Sequence, residues 1–267
     1  MSRLDFAVVD LPESSMHKTA VLVTGAHGTM LVDTGFTRSD GRRLTEVVRA
    51  VGRPLDTVVV SHGDPDFYFG TEEVQNAFPD ARFVAHPQVV AHIAETYPAK
   101  LAVWAHLGSE LPTRPPRLQP LEGDVVTFEG HRFEVRGFEP KLPGHHFLWE
   151  HRSRVMLGGV ALFQGVHVWT ADTPDPAQRA AWIDLLDAME ALEPALVVAG
   201  HRTAGAPTDT SAITWTRDYL KDFERELGKA PDAAAAQAAL LRLYPDAGLP
   251  VAVELGTKVA KGELAWG

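Results

Sequence analysis

The chain has 267 residues, 45% of them hydrophobic and 22% charged, enough to bury one large core or two small ones. Acidic residues outnumber basic ones 35 to 25, a formal net charge of −10, which speaks against nucleic acid or an anionic membrane as a partner. Cysteine is absent, which excludes disulfides, thiolate nucleophiles and sulfur ligands together and leaves any metal to His, Asp or Glu.

The opening "MSRLDFAVVDLPESSMHK" lacks the apolar centre of a signal peptide, and no later run reaches membrane-spanning length, so a cytoplasmic protein is expected. "LDFAVVDL", "KTAVLVTG" and "TMLVDTG" predict paired strands, the last two joined by a turn at "AHG". A helix follows in "RSDGRRLTEVVRAVG", with Leu44, Val47, Val48 and Val51 at helical spacing and Gly52 as its stop. "LDTVVVSH" is a continuous apolar strand of the kind buried on both faces. A short helix and another strand come next in "TEEVQNAFPDARFVAHP", then one helix or a helical pair over 87–108 and a Pro-rich surface connection, "LPTRPPRLQPLEG". The stretch 96–122 is expected to overhang a site and set substrate choice.

The second half starts again with strands: "VVTFEG", "HRFEVRGFE", "HHFLWEH" and "SRVMLGGVALF". A Pro-capped helix over about 176–192 lines up Trp182, Leu185, Leu186, Met189 and Leu192. "PALVVAGH" is a further buried strand ending in His201, and 209–262 reads as two or three helices, the second Ala-rich. Helix 211–227 carries Ile213, Trp215, Tyr219, Phe223 and Leu227, and is expected to cover the core or to form a dimer contact. Strands then a helix, twice over, suit two sheets packed face to face with helices outside.

Chemistry concentrates in "SHGDPDF". Asp64-Pro65-Asp66 is a competent helix start: a capping aspartate, proline in the first turn, and a second acid near the positive end of the helix dipole. The same run places His62, Asp64 and Asp66 just past a buried strand. His145 in "LPGHH" and His201 in "VVAGH" likewise follow apolar strands or lie between them. Several such loops at one end of a sheet are a common way to build a site.

The order strand, "DTG", helix, strand, His-x-His-x-Asp-His-like motif, "PGH", "GD"-like turn and final "GH" resembles the metallo-β-lactamase superfamily over roughly residues 15–203. The resemblance implies an α/β protein, a four-layer αβ/βα sandwich, with a domain at 1–205 and a C-terminal helical extension at 206–267 packed on it. It implies metal positions at His62, Asp64 and His145. Asp66 and His201 belong to the second-metal set. Asp64 stands where the motif has a histidine, Phe67 replaces its last histidine, and Val160 replaces the bridging aspartate, so a dinuclear site is not expected. Asp33 matches an aspartate that orders the site loops.

One divalent metal, zinc or iron, on His62, Asp64 and His145 would suffice for hydrolysis of an ester, lactone or amide of a small, partly apolar molecule. Asp66 would then orient or deprotonate water, and His201 would stabilise the oxyanion or protonate the leaving group. Phe67, His146 and Trp169 are candidates for substrate contact, and His167 and Asp172 for compensating ligands. Two other readings stay open: an iron(II) oxygenase on the same triad, and a metal-free enzyme or ligand-binding protein in which Asp66 and His201 remain. A homodimer is compatible with all three.

Overall fold

The computed structural model describes residues 3–266, which divide into two compact units. One unit runs to Arg136 and includes Leu148–Arg152. The other comprises Gly137–Phe147 and the chain from Ser153 onward.

The first unit is built on a six-stranded sheet with strands in chain order. β1 (Asp5–Asp10), β2 (Thr19–Thr24) and β3 (Thr29–Val32) pair antiparallel, the hairpin turning at 25–28 as expected. β4 (Leu55–Val60), β5 (Arg82–Ala85) and β6 (Gln119–Pro120) continue the sheet in parallel from β3. Parallel strands need crossovers, and helix α1 (Arg38–Val51) supplies the one between β3 and β4. Its ends follow from its sequence. Thr37 and Asp40 form a reciprocal capping box, and Gly52, with a left-handed φ of 71°, closes it. Leu44 and Val48 are buried against Leu22, Leu31 and Val58, with Val47 partly buried beside them. Val51 is exposed, because the last helical residue has already turned off the sheet.

Helices α2 (Pro65–Tyr68), α3 (Thr71–Ala77) and α4 (Pro87–Val103) follow, α4 leading into a short 3-10 segment at Ala105–Glu110. The stretch expected to overhang the site is therefore helical at its start. A second antiparallel hairpin, β7 (Val125–Phe128) and β8 (His131–Arg136), has a two-residue loop with both φ angles positive, at Glu129 and Gly130. The Glu129 carboxylate accepts from the backbone N–H groups of Ala26, His27 and Gly28 at 2.7, 2.7 and 2.9 Å, tying the two hairpin turns together. β9 (Phe147–Glu150) follows, buried along its length.

In the second unit β10 (Val155–Leu157) pairs in parallel with β12 (Leu196–Val198), and β11 (Phe163–Gln164) with β13 (His201–Arg202). α5 (Pro176–Glu190) starts at a capping box of Asp175 and Gln178 and buries Trp182, Leu185, Leu186 and Met189. Three helices end the chain: α6 (Ser211–Lys229), the Ala-rich α7 (Ala233–Leu243) and α8 (Pro250–Ala260). α6 buries Ile213, Tyr219, Phe223 and Leu227, so it belongs to the core of this unit. No helix among the described residues is long and apolar enough to cross a membrane.

Candidate functional site

β4 is buried at every position except Asp56 and ends at Val60, delivering Ser61, His62, Gly63 and Asp64 into the loop before α2. Asp64 occupies the N-cap position with extended backbone and Pro65 follows it, as the sequence indicates, yet its carboxylate makes no capping hydrogen bond. It turns instead to two nitrogen partners. Oδ2 lies 3.0 Å from His62 Nδ1, and Oδ1 accepts from Lys100 Nζ on α4. Lys100 also donates to Gly63 O at 3.2 Å and lies 3.3 Å from His92 Nε2. The His62 Nδ1 atom is within 3.2 Å of the Asp64 backbone N–H, from which it accepts when neutral.

A second ammonium lies on the other side of the motif. Lys18, just before β2, is 1% exposed, and its Nζ donates to Thr19 O at 2.6 Å and Asp33 Oδ2 at 3.0 Å. It also sits 4.0 Å from the centre of the Phe67 ring. Asp33, just after β3, adopts a left-handed φ of 65° that aims its carboxylate at β4. There it accepts from Ser61 N–H at 2.8 Å and Ser61 Oγ at 2.9 Å. It thus couples the ends of β3 and β4, the loop-ordering part expected for it. Phe67, named for substrate contact, is fully buried and holds the ammonium.

The charges shift one another. Removal from water disfavours the His62 imidazolium, but the Asp64 carboxylate outweighs this and raises its pKa. Burial likewise opposes the charge on Asp64, while His62 and then Lys100 overcome it and hold the carboxyl well below the usual range. Asp66, buried and repelled by Asp64, is pushed up to about 7, with Lys18 working in the opposite direction.

In the second unit His145 and His201 sit at the two ends of a run of aromatic contacts. The His145 ring meets Trp182 edge-on at 4.3 Å, Trp182 meets Phe163 at 6.2 Å, and Phe163 stacks on His201 at 5.0 Å. Trp182 is fixed by donating from Nε1 to Ala161 O at 3.0 Å. Gly200, before His201, has no room for a side chain, because a Cβ there would stand 2.0 Å from Gly159 O. Val160 lies half-buried in the adjoining 3-10 turn. His146 stacks on Phe138 at 5.1 Å.

The two candidate substitutes for a lost ligand each have a partner in the second unit. His167 is fully buried, with Nδ1 3.0 Å from the Tyr219 hydroxyl and its pKa depressed to about 4 by burial. Asp172 accepts from Trp266 Nε1 at 2.7 Å, and the Trp266 ring packs against Trp169 at 5.7 Å. Both belong to the packing of the second unit. Sequence reasoning missed Lys18 and Lys100, since neither sits in a recognisable pattern.

The chain belongs to the metallo-β-lactamase superfamily, whose sequence profile matches residues 16–201. Its mixed α/β architecture is the metallo-β-lactamase fold. It is similar to a metallo-β-lactamase family protein from Thermus thermophilus, at 20% identity and a TM-score of 0.66, covering 97% of this chain and 93% of that one. A β-lactamase domain protein from Burkholderia ambifaria is similar at 20% identity and a TM-score of 0.66, with 97% and 84% covered. The metallo-β-lactamase FIM-1 from Pseudomonas aeruginosa, solved in a mono-zinc form, is similar at 11% identity and a TM-score of 0.55, with 82% and 90% covered. No curated protein compared with the sequence gives a significant match.

Proposed function

We propose that this protein is a hydrolase-like enzyme of its superfamily, acting on an ester, lactone or amide of a small, partly apolar molecule with its own side chains. Superfamily membership supports the reaction class. The observation that carries the finer reading is the commitment of Asp64 to His62 and Lys100. A metal ligand must turn a lone pair to the ion, and its other contacts should hold it there. Asp64 has one oxygen on the His62 ring and the other on an ammonium, so a metal ion sharing that second oxygen would have to compete with a positive charge already there. Phe67 and Val160, at two further ligand positions, have no donor atoms. Among the described residues no three His, Asp or Glu side chains are grouped to hold a metal. The donor set does not fit the superfamily's metal, for zinc hydrolysis or for an iron(II) triad alike, and no step is routed through one.

In this reading the Asp66 carboxylate takes a proton from water, which attacks the substrate carbonyl carbon. A proton from solvent reaches the departing oxygen or nitrogen as its bond to that carbon breaks. The test is a panel of aryl esters, lactones and amides offered to chelator-treated protein and to its Asp66→Asn variant. Turnover by the chelated wild type that drops about 100-fold or more in the variant supports the proposal. Turnover that vanishes with chelator and returns with zinc overturns it.

A further inference from the structure

We infer that Lys18 and Lys100 are the resident cations of the "HGDPDF" motif, filling with ammonium groups the electrostatic role that a divalent ion would otherwise have. This goes beyond the proposed reaction and holds whatever the substrate is.

Each ammonium is closely matched by its surroundings. An ammonium has three protons to place, and burial is costly unless each finds an acceptor. Lys18 directs its Nζ to Thr19 O and Asp33 Oδ2, and has the face of Phe67 at 4.0 Å. The negative face of an aromatic ring attracts a desolvated cation. Phe67 stands where the superfamily's motif has a metal-binding histidine, so the exchange of imidazole for phenyl gives up a metal donor and supplies a surface for an ammonium. Lys100 meets Asp64, Gly63 O and His92 Nε2. Asp64 is again a replaced histidine, and the carboxylate that replaces it is the one Lys100 binds. The two departures from the motif thus coincide with the two lysines, one for one.

Charge supports the same conclusion. Asp33, Asp64 and Asp66 would repel one another in a partly dry loop without a cation. Lys18 pairs with Asp33 and acts on Asp66, while Lys100 pairs with Asp64. A divalent ion entering here would meet two fixed positive charges and would have to displace one.

The test uses the full chain without a polyhistidine tag. Zinc, iron(II) and manganese are titrated calorimetrically, alongside thermal unfolding with chelator and with each metal. The wild type is expected to take up none of these ions at micromolar concentration and to unfold at the same temperature throughout. Lys100→Met is expected to lower the unfolding temperature and gain zinc affinity about tenfold or more over the wild type, while Lys100→Arg restores both properties toward wild type. Lys18→Met is expected to be the more destabilising, and if it does not fold, the Lys100 pair of variants decides alone. Stoichiometric zinc or iron binding by the wild type overturns the inference, as does a Lys100→Met variant with unchanged stability and metal affinity. Hydrolysis is not read in this experiment, so a failed substrate assay and a failed cation assignment stay separate.

Discussion

Asp33 and Lys18 form a buried pair whose energetics can be worked out in advance. Asp33→Asn keeps an oxygen that can accept from Ser61 N–H and tolerates the left-handed φ of 65°, which asparagine adopts more readily than most residues. It removes the charge and turns the Oδ2 acceptor into an NH2 donor, leaving a 1% exposed ammonium with Thr19 O and the Phe67 face. Breaking a buried ion pair from one side costs about 3–5 kcal/mol. The two contacts that survive argue for the lower end, so about 3 kcal/mol is expected. At roughly 2–3 °C per kcal/mol for a chain of this size, the unfolding midpoint should fall by about 6–9 °C. Lys18→Met should cost a similar amount, since Asp33 retains Ser61 but loses its counter-charge. The double variant holds neither charge and should recover about 2 kcal/mol relative to the sum of the two singles. Urea unfolding followed by tryptophan fluorescence supplies all four corners of the cycle. Additive losses, with no coupling, would refute the claim that these two groups exist for each other.

His167 has a folded pKa of about 4 against an ordinary value near 6.5, so its contribution is complete above about pH 6.5 and declines as the pH falls toward 4, by about 3 kcal/mol in all. Urea midpoints of wild type and His167→Leu at pH 7.5 and 4.5 should converge at the lower pH, and parallel curves would contradict this. Glu129→Ala leaves three backbone N–H groups at 26–28 without their acceptor and should cost about 1–2 kcal/mol, read as a lower unfolding temperature that Glu129→Gln partly restores. Gly200→Ala pushes a methyl group onto Gly159 O and should destabilise by about 2 kcal/mol, read as a lower urea midpoint. An unaffected variant would show that this backbone approach is not required.

Much of the architecture could be read from local pattern. The apolar run of β4, the capping signals of α1 and α5, and the Ala-rich α7 are decided by residues within a few positions of one another, which a sequence displays directly. The position of Asp64 as an N-cap was legible for the same reason. Its side-chain partners were not, because Lys100 lies on a helix 36 residues further along and prevails over the local N–H groups. Lys18 was hidden likewise: "SSMHKTA" gives no hint that its lysine is buried against residues 15 and 49 positions away. His167 shows the converse. Following a lost ligand position, it is a candidate replacement by sequence, and its contact with the hydroxyl of Tyr219, 52 residues later, could not be read locally.

If protein cations stand where a metal would be expected, the purified chain should carry none. Plasma mass spectrometry, on tag-free protein purified both in air and anaerobically, reads this without intermediate steps. Zinc, iron and manganese should all lie far below one equivalent per chain, with none retained after reconstitution and dialysis. About one equivalent of zinc or iron, retained and lost only in Asp64 or His62 variants, would contradict the assignment of Lys18 and Lys100 as the resident cations.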